Sequence, residues 1–136
     1  MTDISVTVTA VVSTITRSVI TALAGTTITA GQTVYTDAAT GKWLLADCDS
    51  ATVAARTPVG IALNGGALNQ PITVKTLGDI TFNAVLTAGV GYYQSPVAGG
   101  IAPIADVLSG DLAVFLGFAK STTVLALDIT AAAVVL

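Results

Sequence analysis

The chain has 136 residues, of which 10% are Asp, Glu, Lys or Arg and 53% are hydrophobic, with a formal net charge of −3. That length suits one compact domain plus a short arm, and ordinary domains carry about 25% charged residues. His and Glu are both absent, which removes Ser-His-Asp and Cys-His catalysis, His-containing zinc sites and a proton shuttle near neutral pH. The basic residues Arg17, Lys42, Arg56, Lys75 and Lys120 are scattered, so no basic patch is available to neutralise phosphates, and nucleic acid is not an expected partner. A chain so poor in charge clothes itself in Thr, Ser, Gly, Asn and Gln, or other chains cover part of it. The composition points away from an enzyme, and nothing in it calls for a cofactor.

Ile4 to Thr16 alternates apolar residues with Thr and Ser at period two for most of its length, which predicts a strand. Ser18 to Ala24 reads as a second strand piece, closed by Gly25. Residues 1–24 are therefore expected to form an amino-terminal strand arm, and residues 25–136 a β domain.

Past Gly25 the chain repeats itself. Ile28-Thr-Ala-Gly-Gln-Thr-Val-Tyr35 matches Leu86-Thr-Ala-Gly-Val-Gly-Tyr-Tyr93, 58 residues on. Gly41 to Asp47 lies against Gly99 to Asp106, with one residue inserted in the second copy. Val59-Gly-Ile-Ala-Leu63 matches Leu116-Gly-Phe-Ala-Lys120 at an offset of 57, and each copy closes on an alternating strand, Ile72–Thr76 and Val124–Asp128. Landmarks that keep their order at one period mark a duplicated unit, here over residues 26–78 and 84–130. Ala30-Gly31 and Ala88-Gly89 supply left-handed turn positions. Asn64-Gly65-Gly66 and Asn69-Gln70-Pro71 bracket a hairpin connection, while Leu77-Gly78-Asp79 and Ser109-Gly110-Asp111 are further breaks. Short strands at about ten-residue spacing predict an all-β fold, a small barrel or sandwich of two similar units of about 58 residues.

The longest uncharged run, Ile80 to Ala105, contains Pro96, Pro103, Asn83 and Gln94, unlike a membrane-spanning helix of about 20 apolar residues. The amino terminus lacks the basic region of a secretory signal, and seven aromatics are few for the girdles of a membrane barrel. No membrane is therefore expected as a partner.

Several residues invite chemistry. Cys48 is the lone cysteine, and its neighbours Asp47 and Asp49 raise the pKa of a thiol, so an inert buried thiol is expected. Asp37, Asp47 and Asp49 form a loose acidic group whose spacing falls short of a calcium loop, so solvated loop acids are the default. Asp79, Asp106 and Asp111 enter a glycosidase reading only as carboxylates, without the aromatic platform that sugars stack on. Gly89-Val-Gly91 lacks a third glycine and leads into a strand, so it is no dinucleotide loop. Trp43, at a loop-to-strand edge, suits either an interface anchor or the core. Tyr35, Tyr92 and Tyr93 recur at matching places, which favours structure over recognition.

Both ends of the chain are uncharged and strand-prone, a hazard in water unless a neighbour covers them. Homo-oligomers are the commonest cover, and a strand also adds to a foreign sheet edge. Ile4, Val6 and Val8 of the arm are the expected interface residues, together with Trp43 for its large contact area.

Val59-Gly-Ile-Ala-Leu63, Gln70-Pro-Ile-Thr-Val-Lys-Thr-Leu-Gly-Asp79, Leu86–Tyr93 and Leu116-Gly-Phe-Ala-Lys-Ser121 give residues 25–136 the texture of phage virion proteins. The chain resembles bacteriophage head-decoration (capsid cement) proteins and the compact heads of phage fibres. The resemblance implies a barrel or tulip-like fold, usually trimeric and sometimes dimeric, made in the host cytoplasm and clamped on the major capsid protein at the virion surface. The alternative it carries is a short fibre or tail-tip protein that binds a host receptor through loops Asp37–Lys42 and Gln94–Gly100. Decoration is favoured because fibre proteins usually carry a long shaft. The arm would touch the shell or a neighbouring subunit, and the body would fold without it.

Overall fold

Alternating segments bounded by Gly, Asn and Asp leave the chain little choice but short strands. The computed structural model describes residues 3–11 and 18–135, and among them there are ten strands, three 3-10 turns and no α-helix. In chain order the strands are β1 (Val19–Leu23), β2 (Thr33–Thr36), β3 (Trp43–Leu45), β4 (Gly60–Ala62), β5 (Pro71–Lys75), β6 (Leu77–Thr81), β7 (Gly91–Gln94), β8 (Ile101–Pro103), β9 (Leu112–Ala119) and β10 (Val124–Val135). They form two five-stranded sheets, ordered β1-β5-β4-β2-β3 and β6-β10-β9-β7-β8. Every ladder is antiparallel. The sheets do not close into a barrel, so of the two architectures expected from the sequence the sandwich of two similar units is the one formed.

The two sheet orders are the same permutation, strand for strand. The registers agree as well. Val34 faces Leu45 and Thr36 faces Trp43 in the first unit, where Tyr92 faces Pro103 and Gln94 faces Ile101 in the second, all 58 residues apart. Thr33 faces Ile61 as Gly91 faces Phe118, which keeps the offset of 57 for β4 and β9. The offset stays at 58 through β8, because a hairpin ladder cannot absorb an extra residue without a bulge, so the hairpin ladder itself holds no inserted residue.

The shared Gly-apolar-Ala signature has a steric origin. A Cβ on Gly60 would collide with the carbonyl oxygen of Lys75, and a Cβ on Gly117 with that of Ala126. Lys75 and Ala126 are themselves equivalent, facing Ile61 and Phe118 respectively. Each unit thus brings two backbones together at a place where only glycine fits. The Ala-Gly turns match too, with Gly31 at φ 92° and Gly89 at φ 82°, a region open to glycine at little cost. Gly78, expected to break the chain, lies inside β6 with φ 102°. The change from the first sheet to the second is made one step earlier, between Lys75 and Leu77.

Alternation then sorts side chains between faces. Ile28, Val34, Trp43, Ala62, Ile72 and Val74 pack together within the first unit. Leu86, Tyr92, Ile101, Ala119 and Leu125, their counterparts along the second unit, belong to the larger cluster. Trp43 is a core residue of the first unit, and its indole N–H donates to the Ile72 carbonyl at 3.2 Å. Its selection as an interface anchor is corrected on that ground: a side chain sealed within its own unit has no surface to offer. Accessible surface totals 6378 Å², against about 6,500 Å² for a compact chain of this mass.

Residues 3–11 correct the expected arm. They form no strand; Val8–Ala10 is a 3-10 turn, and the remainder of the predicted strand, from 12 to 16, lies outside the described residues. A period-two pattern needs a ladder to pair with, and this segment finds only fragments of one. Ile4 N–H donates to the Ile101 carbonyl at 3.2 Å. Asn83 supplies two more bonds, accepting from Thr7 N–H at 2.8 Å and donating to the Ser5 carbonyl at 2.9 Å, and Asp3 accepts from the Ser95 hydroxyl at 2.6 Å. Ile4 and Val6 pack against the larger cluster, Val11 is buried within it, and Val8 stands half exposed. Of the three arm residues selected for an interface, two therefore face their own body. Beyond the undescribed stretch, β1 pairs with β5 as β6 pairs with β10, so residues 19–23 open the first unit.

Trp43→Ala is expected to cost about 3–5 kcal/mol, read as a lower denaturant midpoint at unchanged native mass. Retained stability with loss of self-association would contradict that placement. Deleting residues 2–11 is expected to lower stability by about 3 kcal/mol, since each buried Val or Ile contributes ~1.5–3 kcal/mol; an unchanged midpoint would show that the segment packs elsewhere.

Candidate functional site

The outward face of the second sheet carries what the rest of the surface lacks. Tyr93 on β7 meets Phe115 on β9 edge-to-face, with ring centroids 5.5 Å apart. Phe115 meets Phe118 in the same manner at 4.9 Å. Quadrupoles favour this geometry, and each such pair contributes about 0.5–1.5 kcal/mol beyond area burial. Phe118 is nevertheless 57% exposed. Gly91 makes room for the rings, since a Cβ there would sit 3.1 Å from Phe115. Alternation puts Leu77 and Asp79 of β6 and Ala126 of β10 on the same side; Leu77 is exposed, and Asp79 pairs with Lys120 at 2.9 Å. Three of the chain's seven aromatic residues thus share one uncovered face, with a single ion pair beside it.

The junction between the units is polar and closely held. Gln94, wholly buried, donates from Nε2 to the carbonyls of Ala46 at 2.9 Å and Ser95 at 3.1 Å. Cys48 N–H donates to the Ser95 carbonyl at 3.3 Å, and Leu112 N–H to the Cys48 carbonyl at 3.2 Å. The sequence offers no sign of this role for Gln94, because it depends on which residues the second unit brings up against Ala46. The loop Gln94–Gly100, expected to be exposed, is correspondingly only open at its tip: Gln94, Ser95 and Gly99 are buried, and Val97 and Ala98 face solvent. Asp37–Lys42, its counterpart, is open along most of its length.

The acidic group divides between the two ends of β3. Asp37 satisfies its own hairpin, accepting from Ala39 N–H at 3.1 Å and the Thr40 hydroxyl at 2.9 Å. Asp47 and Asp49 lie at the opposite end beside Cys48, and Asp47 Oδ1 accepts from Asp49 N–H at 3.2 Å. Asp111 accepts from Leu108 N–H at 2.9 Å. Burial pushes the Asp47 carboxyl up to about 6, helped by a carboxyl hydrogen bond with Asp49 and the charges of Asp49 and Asp111. Burial pushes the Cys48 thiol up to about 12, with Asp111, Asp49 and Asp47 adding to it. Nucleophilic and metal-binding thiols need the opposite shift, so this thiol is inert, as its flanking acids suggested. Among the described residues no three His, Cys, Asp or Glu side chains are placed to share a metal ion, and no helix is long and apolar enough to cross a membrane.

No protein-family model matches the chain, and no curated protein matches it.

Folded Asp47 keeps its proton up to about pH 6 while an ordinary Asp releases it near 3.8, so between those values the folded state binds more protons than the unfolded one. Stability is therefore expected to fall as pH rises through that window, and Asp47→Asn to flatten the fall in a urea midpoint series; a rise with pH in the Asn variant's absence would contradict the assignment. Cys48 is expected to resist iodoacetamide at pH 8 until the chain unfolds, and rapid labelling of the folded protein would contradict its burial.

Proposed function

We propose that the protein is a virion structural component that coats and stabilises a phage capsid as a homo-oligomer, with the major capsid protein as its other partner. One observation carries this reading: an uncovered aromatic face on a body with few charges to keep it apart from its neighbours. Exposed apolar surface of this kind marks interaction sites, and aromatic side chains are the residues on which interface energy concentrates. The resemblance of Val59–Leu63, Leu86–Tyr93 and Leu116–Ser121 to head-decoration proteins supplies the type of assembly. The product of such a protein is a covered surface, which asks for contact area and resistance to unfolding.

The receptor-binding alternative draws on hairpin Asp37–Lys42, which is open to solvent. The two readings separate on one experiment. Added to expanded phage shells that lack it, the protein is expected to bind and to raise their resistance to heat and chelators. Shells that melt unchanged, together with binding to host cells that is lost on replacing residues 37–42, would overturn decoration in favour of the fibre reading.

A further inference from the structure

Duplication lets each edge of one unit be compared with its counterpart in the other. The first unit closes on itself: Ala24 bridges Trp43, and Gly25 N–H donates to the Trp43 carbonyl at 2.8 Å. Glycine permits that approach, since a Cβ on Gly25 would lie 2.9 Å from Leu44 and 3.1 Å from the Trp43 carbonyl oxygen. Ala24 and Phe82 hold the same place in their units. Ala24 N–H donates to the Gln70 carbonyl at 2.8 Å and Phe82 N–H to the Thr123 carbonyl at 2.6 Å, each just ahead of β5 or β10. Gly25 is therefore matched by Asn83, and Trp43 by Ile101. In the second unit the Ile101 carbonyl accepts from Ile4 N–H, and the Asn83 side chain holds Ser5 and Thr7. An amide that donates to one backbone group and accepts from another two residues on reads an extended main chain as a neighbouring strand would.

A second difference between the copies meets the same segment. Asp37 and Ser95 begin equivalent hairpins, with Asp37 N–H bonded to the Lys42 carbonyl at 2.9 Å and Ser95 N–H to the Gly100 carbonyl at 3.1 Å. Asp37 accepts from Ala39 N–H with its own carboxylate. Ser95 Oγ accepts from the equivalent Val97 N–H at 2.9 Å and donates to the Asp3 carboxylate at 2.6 Å. The acid that the first unit carries in its hairpin is thus brought to the second by the amino-terminal segment. Further along, Val6 and Val11 lie against Gly31 of the first unit, whereas a Cβ on the equivalent Gly89 would meet nothing within 4 Å. The seat is wider than its occupant, with a cavity of about 190 Å³ beside Val6, Val8, Gln32 and Gly99. Directed bonds at Asn83 and Ser95 therefore set what it accepts.

We infer that the second unit carries a peptide-acceptor groove, made by Asn83 and Ser95 where the first unit has Gly25 and Asp37, and that its ligand is an extended segment with a carboxylate at its start. Residues 3–8 are the occupant. The groove belongs to the body, so it accepts the same segment as a separate molecule, and it needs neither a capsid nor self-association to do so.

The test uses the full chain with a protease site inserted among residues 12–16, folded and then cut. The cut segment is expected to stay bound, and an excess of a fluorescent synthetic peptide of residues 2–12 to replace it, while Trp43 fluorescence keeps its native spectrum. Asn83→Ala in the body and Asp3→Ala in the peptide are each expected to weaken peptide binding about tenfold, the loss of two neutral hydrogen bonds or one charge-assisted bond. Asn83→Gly, the residue the first unit has at this place, serves where the alanine variant melts early. A segment that leaves on cutting and does not rebind, one that excess peptide never replaces, or binding that ignores both substitutions would overturn the assignment.

Discussion

The structure depends on the burial of one sheet face by the neighbouring unit. Ile61 points away from the first unit's own cluster into the one built mainly from the second unit, while Tyr35 and Ala46 pack with Ala55 of the 3-10 turn Val53–Arg56. Antiparallel sheets tolerate one wet face, yet here that face is apolar and covered, and backbone bonds from Gly99 to Thr33 and Ala46 tie the second unit to the first. Phe118, the counterpart of Ile61 in the second unit, is 57% exposed beside Phe115.

The low charge content follows from the same constraint. A duplicated strand-rich unit buries its inner face through Val, Ile and Leu, and it spends Thr and Asn on local backbone bonds. Thr21 pairs with Thr73 across β1 and β5 at 3.0 Å. Asn64 bridges the β4–β5 connection through Pro71 and Thr73. Neither device needs an ionised group, and surface ion pairs such as Lys120–Asp79 contribute little. What charge would normally supply is separation from neighbours, which the proposed association does not require.

Much of the architecture was legible in the sequence because its determinants are local. The Ala-Gly turns and the glycine before Ile61 and Phe118 are steric requirements that recur wherever the backbone geometry recurs, so the duplication shows as a period. The arm, by contrast, alternates as a strand does between Ile4 and Val11, yet forms none, because alternation is silent about whether a pairing edge is vacant. Trp43 sits on a three-residue strand, too short for its pattern to reveal the buried side. Gln94 takes its role from a contact between units, and Phe118 stays exposed where its counterpart Ile61 is buried. That packing is non-local, and no spacing along the chain encodes which of two like faces is covered.

Amide hydrogen exchange measured at several protein concentrations tests the central claim most directly. If the first unit's face is sealed within the chain and the second unit's is sealed between chains, amides of β2 and β4 should be protected equally at every concentration. Those of β9 around Phe118 should gain protection as concentration rises. Exchange that is independent of concentration throughout, or a first-unit face that opens on dilution, would contradict the account.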